Sequence, residues 1–293
     1  MKKLDKSKVI YNFSPDNEEV LKINSGDEVS IESYDCFKNE LKSEEDSLAE
    51  FNWDHINPAT GPIYVNGAEV GDTLKVKIKD IKIEDQSVMI VAPEEGLMGE
   101  RIEKSQTKII KIEDGMAIFS DKIKIPIKPM IGVIGTAPIE DEIPAGTPGD
   151  HGANMDCKTM IAGNTLYLPV NVEGGLFALG DLHSVMGDGE VAVSGAETAG
   201  VVELKIELLK NKKMPLPFLE SEDKITTIAS ANTLDEAVKI STNNMVDYLV
   251  DNYNFDFNEA TMLLSLVGDA KICQVVDPKK TARFEVEKKY LKS

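Results

Sequence analysis

The chain has 293 residues, of which 42% are hydrophobic and 28% charged, a composition typical of a soluble globular protein. Its formal net charge of −19 argues against partners such as nucleic acid or anionic membranes, which need a basic surface, and favours a small neutral or cationic substrate. No apolar run approaches eighteen residues and no apolar segment follows the basic N-terminus, so neither a membrane span nor a signal peptide is expected.

The cysteine pattern concerns the compartment in which the protein works. Cys36, Cys157 and Cys273 are odd in number, far apart in sequence and not arranged as a CxxC motif. A disulfide scaffold and a cysteine zinc site are therefore disfavoured, and a reducing cytoplasm is the expected location.

The first half of the chain is predicted to form β-strands, because short apolar runs and alternating segments are separated by turn residues. In residues 74–79, LKVKIK, apolar side chains alternate with lysines, which places them on opposite faces of a strand. The apolar positions then shift to Ile81 and Ile83. This shift predicts one extra residue, a β-bulge, near Asp80.

Two ten-residue stretches, 26–35 and 71–80, resemble each other. Each opens with a Gly-Asp turn, continues as an alternating strand and ends in aspartate, which suggests two similar arms of a β-sandwich. Asp80 lies among lysines and is expected to be solvated, whereas Asp35 precedes Cys36 and Phe37 and is expected to be less exposed. Between the two arms, residues 41–53 are predicted to form a short helix or lid.

The middle of the chain, residues 132–200, is rich in Gly and Pro and contains further predicted strands. The strand candidates are TLYLPV (165–170), GLFALGD (175–181) and GEVAVSGAE (189–197), followed by VVELKIELL (201–209). These four segments extend the β architecture through the second third of the chain.

Two longer helices are predicted in the last third. Thr233 with Glu236, and Asp256 with Glu259, have the spacing of capping boxes, and Gly268 is expected to end the second helix. Two closing strands follow. The sequence thus predicts a mainly β protein with a C-terminal α/β portion and a β-sandwich-like architecture. We expect one domain over 1–293, divisible at most into a β-rich part, 1–130, and a site-bearing part with C-terminal helices, 131–293.

The residues suited to chemistry lie in two glycine-rich acidic segments. TPGDHGANMD (147–156) contains His151, Asn154 and Asp156, and GDLHSVMGDGE (180–190) contains Asp181, His183, Asp188 and Glu190. In an extended strand Asp181 and His183 point to the same face, as two ligands of one metal must. Histidine with carboxylates favours Zn²⁺, and several carboxylates also allow Ca²⁺ or Mg²⁺. Asp-x-His pairs and Asp-Gly turns are also common in structural roles.

Several long motifs occur in the order typical of one family. NPATGPIYVNGAEVGD, IGTAP, TPGDHGANMD, TLYLPV and GDLHSVMGDGE resemble the acetamidase/formamidase family over about residues 11–209. The family's own versions look like TGPxYVxGAxxGD, TPGDHGGNMD and GDxHxxQGDGE. The resemblance implies hydrolysis of short aliphatic amides to a carboxylate and ammonia, a β-rich fold, a divalent metal in some members and a homodimer.

Motif by motif, the resemblance assigns nine residues to the site. They are Asp35, His151, Asn154, Asp156, Asp181, His183, Asp188, Glu190 and Glu197. The sequence departs from the family pattern at three places. Ala153 replaces a usual glycine, Met186 replaces a glutamine common before GDGE, and the first strand, VIYNFS, lacks a histidine often found near its start.

These observations lead to the hypothesis of a metal-assisted amidase acting on a small neutral amide. Its metal ligands are taken from five residues: Asp35, His151, Asp181, His183 and Glu197. Its catalytic group comprises Glu190, Asp156, Asn154 and Asp188, with Glu190 or Asp156 transferring protons and Asn154 stabilising the oxyanion. Two alternatives remain open. One is a non-catalytic small-molecule-binding member with a structural metal, and the other is a hydrolase of another linear or cyclic amide.

Overall fold

Residues 1–46 and 52–291 are described in the computed structural model, and most of their regular structure is β. The strands up to residue 126 are β1 (Lys2–Leu4), β2 (Val9–Ile10), β3 (Asn12–Phe13), β4 (Leu21–Ile23), β5 (Glu28–Ser33), β6 (Ala59–Val65), β7 (Thr73–Ile83), β8 (Gln86–Val91), β9 (Gln106–Glu113), β10 (Met116–Ser120) and β11 (Ile123–Pro126). The later strands are β12 (Met130–Gly135), β13 (Ile143–Pro144), β14 (Gly152–Asn154), β15 (Thr165–Pro169), β16 (Phe177–His183), β17 (Glu197–Thr198), β18 (Gly200–Leu209), β19 (Phe218–Glu220), β20 (Lys224–Ala231), β21 (Gly268–Gln274) and β22 (Lys280–Glu287). The helices are α1 (Leu234–Tyr253) and α2 (Phe257–Val267), with short 3-10 helices at Trp53–His55, Gly99–Arg101 and Lys288–Tyr290.

Two large sheets organise these strands. The first has the order β1-β5-β18-β7-β15-β19-β20-β22-β21. The second has the order β11-β10-β9-β8-β17-β16-β12-β14, with β6 also paired to β16 and with β2 and β4 paired to β6. Both sheets contain strands from before and after residue 130, so that position does not divide one sheet from the other.

The core lies between the two sheets and confirms the sandwich-like architecture. Side chains of the first sheet, such as Ile31 and Val76, share one buried cluster with Ile63, Ile134 and Leu179 of the second. Complete burial of such a side chain contributes about 1.5–3 kcal/mol to the free energy of folding. This shared apolar layer fixes the second sheet, which carries the candidate site, against the first.

The C-terminal α/β portion is also confirmed. Met245 and Leu249 of α1 and Leu264 of α2 pack with Phe284 and Val286 of β22 in a separate buried cluster. The two helices therefore cover one end of the first sheet. Neither helix in the described ranges is both long enough and apolar enough to cross a membrane.

The capping predictions hold in part. Thr233 Oγ1 accepts a hydrogen bond from the Glu236 backbone N–H, and Asp256 with Glu259 forms a complete capping box. Gly268 does follow the last residue of α2, but its φ of −91° is extended, so it is no left-handed C′ residue. Glycine is required there because a Cβ would lie 2.4 Å from the Phe284 ring.

The two similar stretches of sequence form β5 and β7, which flank β18 in the first sheet and both run antiparallel to it. The bulge is confirmed, since Glu203 pairs with Asp80 and the next residue, Leu204, pairs with Ile78. The exposure difference is confirmed too. The Asp80 side chain is 46% exposed, whereas Asp35 is 7% exposed.

Two segments differ from their predictions or fall partly outside the described residues. The strand predicted over 189–197 is wrong except at its end, because Glu190 and Val193 have φ values of 47° and 70° and the chain turns there. Of the helix or lid predicted over 41–53, residues 47–51 lie outside the described part of the chain. A 3-10 helix begins at Trp53.

Candidate active site

The candidate site is built around the central strands of the second sheet. Strand β16 carries Asp181 and His183, and its neighbour β17 places Glu197 directly opposite His183. On the other side of β16, strand β12 pairs with β14, which carries Asn154 and leads to Asp156. Four successive strands thus bring together residues that are up to 43 positions apart in sequence.

His183 lies at the centre of a group of buried carboxylates. Its Nε2 atom is 3.1 Å from Glu197 Oε2, 3.4 Å from Asp181 Oδ1 and 3.7 Å from Asp156 Oδ1. The four side chains are between 1% and 4% exposed. The predicted proximity of Asp181 and His183 is therefore present, although Asp181 has a φ of 56° and is not in the extended conformation that the prediction assumed.

The polar atoms of this group lack hydrogen bonds of good geometry. The atoms concerned are both ring nitrogens of His183, both carboxylate oxygens of Asp156, Asp181 Oδ1, Glu190 Oε2 and Glu197 Oε2. Buried polar atoms without a partner are rare, and a converging set of them indicates a binding site for a ligand or ion. In a tetrahedral zinc site, ligand atoms about 2.1 Å from the ion are roughly 3.4 Å from each other, which matches the distances around His183.

The liganding atoms fall into two adjacent groups. Asp156, His183 and Glu190 each offer one atom within 4.8 Å of the others, and so do Cys36, Asp181 and Glu197. Both groups are buried, and His183 approaches members of each. The residues present therefore fit a divalent cation.

Two glycines allow the group to pack this closely. A Cβ on Gly132 of β12 would lie 2.5 Å from both Asp156 Oδ1 and Asp181 Oδ2. A Cβ on Gly195 would lie 2.5 Å from His183 Nδ1. Any larger residue at Gly132 would displace one of the two carboxylates that approach His183.

Burial and mutual repulsion shift the pKa values of the carboxyl groups. Burial and the nearby Asp181 raise the pKa of Asp156 to about 7. Burial and Asp181 also raise the pKa of Glu197 to about 8, although His183 acts in the opposite direction. The pKa of Glu190 is raised well above its ordinary value by burial and by Asp156.

His183 and Asp181 behave as a charged pair within this group. Burial alone would lower the pKa of His183, but Glu197 and Asp181 outweigh it and the net shift is upward. Burial would raise the pKa of Asp181, but His183 outweighs it and the net shift is downward. One imidazolium cannot neutralise all the surrounding carboxylates, so the group must bind either protons or a cation.

A cavity of about 560 Å³ opens onto the group. At its inner end it is lined by Cys36, Asn154, Asp181, Glu190, Glu197 and Asp277. Glu190 reaches the cavity because the backbone N–H of Gly189 donates to the Cys273 carbonyl (2.8 Å), which holds the GDGE turn against β21. The arrangement provides buried acids, one histidine and space for a small molecule in contact with them.

Asn154 is present at the cavity, but its orientation differs from the predicted role. Its Nδ2 donates to Asp277 Oδ2 (3.1 Å), while its Oδ1 is buried without a partner. The available atom is thus an acceptor, suited to the N–H of an amide and unsuited to an oxyanion. Asp277 lies in the loop between β21 and β22, and burial and Asp156 raise its pKa well above the ordinary value.

Sequence reasoning missed Asp277, Cys36 and Gly132. Asp277 lies far beyond the motifs, in a segment whose local pattern indicated only strands and a turn. Cys36 entered only as part of the less exposed setting expected for Asp35, and Gly132 carries no functional group. No local signal identified these residues, since only the assembled sheet brings them to His183.

Three predicted site residues are not brought to His183. Asp35 Oδ1 accepts backbone hydrogen bonds from Phe37 (3.0 Å) and Asn39 (2.6 Å), so this carboxylate shapes the turn that presents Cys36 to the cavity. Burial raises the pKa of Asp35 to about 6 despite those hydrogen bonds. Asp35 therefore lies beside the group as a turn-forming residue and does not approach His183 as the prediction required.

His151 is 4% exposed, its ring lies against Phe13 at 5.6 Å between centroids, and its Nε2 accepts and donates no hydrogen bond within the described chain. Burial and the charge of Lys279 lower its pKa to about 4, so the ring is neutral near pH 7. It does not line the cavity, and the predicted ligand role is not supported by its placement.

Asp188 is held in an ion pair outside the group. Its two oxygens accept hydrogen bonds from Arg283 Nη1 (2.7 Å) and Nη2 (2.9 Å), and Lys158 Nζ lies 2.9 Å away. Both carboxylate oxygens are thus used by cations, which leaves none for proton transfer. This placement favours a link between the GDGE turn and β22 over the predicted catalytic role of Asp188.

Met186, where the family pattern has glutamine, lines a different cavity. This apolar cavity of about 460 Å³ is also lined by Met89, Ile110 and Phe119. Met186 is absent from the lining of the cavity that holds Asp181 and Glu197. The departure from the family pattern therefore removes no polar group from that lining.

Comparison with known proteins agrees with the fold. The family model described as the acetamidase/formamidase family matches residues 2–145 and 142–283. The chain belongs to this family. The C-terminal match includes β21 and the loop with Asp277, which the motifs in the sequence did not reach.

Three members with related names are similar to this chain in sequence or structure. An acetamidase structure from Bacillus halodurans is 44% identical, with a TM-score of 0.97 and coverage of 98% of both chains. The structure of a predicted acetamidase/formamidase from Thermoanaerobacter tengcongensis is 45% identical, with a TM-score of 0.96, covering 99% of this chain and 96% of that one. A formamidase of Methylophilus methylotrophus is 26% identical over 266 residues, which are 69% of this chain and 64% of that protein. The chain thus spans less than two thirds of that curated relative.

Proposed function

We propose that the protein hydrolyses linear primary amides to a carboxylate and ammonia, with a divalent cation bound at the His183 group. The observation that carries the proposal is the set of buried polar atoms that converge without hydrogen bonds at the inner end of an open cavity. Family membership and the names of the relatives, which include an acetamidase and a formamidase, support the amide as substrate. Formamide and acetamide are accordingly the first substrates to assay.

Asp181, His183 and Glu197 would hold the cation, because their distances around His183 Nε2 suit first-row divalent ligation. Asp156 lies at the edge of this set, 3.7 Å from the same nitrogen. Imidazole with carboxylates favours zinc, while the number of carboxylates also suits calcium or magnesium. Such an ion, when bound, polarises an amide carbonyl and makes a bound water more acidic.

Glu190 is the proposed proton carrier. It faces the cavity, is buried and lies within 4.8 Å of atoms of Asp156 and His183. Burial and Asp156 raise the pKa of Glu190 well above its ordinary value, and a carboxylate made more basic in this way can accept a proton from water and return it to the leaving nitrogen. Asn154 Oδ1 would accept a hydrogen bond from the amide N–H₂ and so orient the substrate, with Asp277 holding the Asn154 side chain in place.

The test is ammonia release from formamide and acetamide before and after treatment with a chelator, with Zn²⁺ then added back. We expect activity to fall at least a hundredfold in the metal-free protein and to return with metal. Full activity without metal would contradict the role of the cation but leave amide hydrolysis standing. Stabilisation by amides in thermal melts without any ammonia release would support a non-catalytic binding protein.

We also propose that the protein works as a homodimer in the cytoplasm. Exposed apolar side chains on α2, such as Met262 (61%) and Leu266 (82%), support a surface covered by a second copy. The free thiols of all three cysteines fit a reducing compartment. Light scattering of the purified protein should give twice the chain mass of 32.1 kDa, and a monomer at micromolar concentration would contradict the dimer.

A further inference from the structure

The cavity above the His183 group is much larger than the smallest amides. Acetamide has four heavy atoms, which occupy roughly 100 Å³ at about 30 Å³ for a water-sized group. The cavity measures about 560 Å³. Cavities of this size are typical of ligands with many more atoms than acetamide. A substrate that fills it needs a larger acyl group than formyl or acetyl.

One part of the cavity wall is apolar. Phe37, Ile56, Ile90 and Val193 line it there, beside the acidic inner end. Ile56 and Val193 are partly buried and pack on the same apolar cluster that contains Phe37 and Ile90. An apolar wall joined to a polar floor suits a molecule with a reactive amide at one end and an apolar group at the other.

The charge of the cavity lining further restricts the group that the substrate can carry at its apolar end. Asp181, Glu190, Glu197, Asp277 and Glu95 line the cavity. Among the lining residues of the described chain there is no lysine or arginine. A carboxylate on the acyl chain would therefore find no cationic side chain in this lining.

Val193 is held in an unusual conformation to form this wall. Its φ of 70° is rare for a β-branched residue and strains the backbone. The turn is fixed by the Val193 N–H donating to the Glu190 carbonyl (3.0 Å) and by Ser194 Oγ accepting from the Ile90 N–H (3.1 Å). Glycine at this position would relieve the strain. The presence of valine therefore indicates that its side chain contributes to the shape of the cavity wall.

We propose that the substrate is a neutral primary amide with an apolar acyl group larger than acetyl, and that Val193 is a specificity-determining residue in the acyl pocket, defined as Phe37, Ile56, Ile90 and Val193. This inference rests on the proposed amide hydrolysis and adds the class of acyl group. Each methylene that enters the pocket should raise kcat/KM about threefold to fourfold. A terminal carboxylate on the acyl chain should lower it.

The experiment measures kcat/KM by ammonia release from formamide, acetamide, propionamide, butyramide and hexanamide, with succinamate as the anionic counterpart. We expect a rise of at least thirtyfold from acetamide to hexanamide, and at least tenfold weaker turnover of succinamate than of butyramide. Values of kcat/KM that stay level or fall from acetamide onward would overturn the proposal.

Variants then assign the effect to Val193. Val193→Ala should lower the ratio of kcat/KM for hexanamide to that for formamide by about threefold to tenfold. Val191→Ala, in the same turn but 48% exposed and outside this lining, should keep the wild-type ratio. An unchanged ratio in folded Val193→Ala would overturn the assignment of Val193.

Failure of the amidase itself gives a different result. No ammonia from any amide in metal-loaded protein would contradict the proposed function. Calorimetric titration of the same protein with hexanamide and acetamide would then test whether the acyl pocket binds apolar acyl groups. Hexanamide binding at least tenfold tighter than acetamide supports the acyl pocket, and equal affinity overturns it.

Discussion

His183 Nε2 and Glu197 Oε2 lie 3.1 Å apart on neighbouring strands, both almost fully buried, without a hydrogen bond of good geometry between them. A charged pair in this setting normally aligns its donor and acceptor, because an unsatisfied buried charge is costly. Here Asp181 and Asp156 approach the same nitrogen, so the ring faces three carboxylates at once. Ligands around one ion lie close together without donating hydrogen bonds to each other, and the atoms around His183 Nε2 have this arrangement.

Gly132→Ala tests how closely the carboxylates must pack. Its Cβ would lie 2.5 Å from oxygens of both Asp156 and Asp181, so one carboxylate must move. We expect amide hydrolysis to fall at least a hundredfold and the affinity for metal to fall at least tenfold. Gly187→Ala is the matched control, since its Cβ meets no atom within 4 Å. Equal activity of the two variants would show that the packing at Gly132 is unimportant.

Asp188→Asn separates a structural role from a catalytic one. The change weakens the bidentate pair with Arg283, which is itself buried, and should lower the free energy of unfolding by about 1–3 kcal/mol. Metal content should stay at the wild-type level. Urea unfolding and elemental analysis measure the two quantities. A variant with wild-type stability but no activity would restore Asp188 to the catalytic group.

Met186→Gln introduces the residue usual in the family pattern. Because Met186 lines the apolar cavity and not the acidic one, we expect kcat/KM for formamide to change by less than about threefold. The change should instead lower stability by about 1 kcal/mol, since a half-buried amide replaces an apolar side chain. A gain in activity of tenfold or more would mean that residue 186 acts on the substrate.

Glu285→Gln tests the ion-pair network that holds β22. Burial would raise the pKa of Glu285, but hydrogen bonds with Arg283, Lys271 and Lys224 outweigh it and lower the pKa to about 2 from an ordinary 4.5. A carboxyl group with a depressed folded-state pKa stabilises the protein above pH 4.5, and that contribution is lost as pH falls toward 2. The stability gap between wild type and variant should therefore shrink over this range in urea titrations. A gap that stays constant from pH 6 to pH 2.5 would contradict the assignment.

Local patterns predicted much of the fold. Alternation identified β7 and β18, a shift of its phase located the bulge at Asp80, and cap spacing located both helix starts. These signals depend on residues within a few positions of each other. The turn at Glu190 and Val193 escaped prediction, because β-branched and acidic residues at positive φ are held there by contacts with β8 and β21.

The candidate site was predictable to the extent that its residues share motifs. Asp181, His183 and Glu190 come from one segment, and Asp156 from another, so their residue types indicated a site. The roles of Asp188 and His151 depended on distant partners. Arg283 lies 95 positions after Asp188, and only the pairing of the C-terminal strands brings it near. Spacing alone carries no information about such contacts.

The most direct test of the cation site is elemental analysis of the purified protein beside two variants. Glu197→Gln removes one proposed ligand, while Glu203→Gln removes a glutamate that pairs with Lys82 at the surface of β18. We expect about one divalent ion per chain in the wild type and in Glu203→Gln. In Glu197→Gln, mild dialysis should remove the ion, and amide hydrolysis should be lost with it. Wild-type protein that contains no divalent ion, binds none on addition and still releases ammonia from formamide would contradict this expectation.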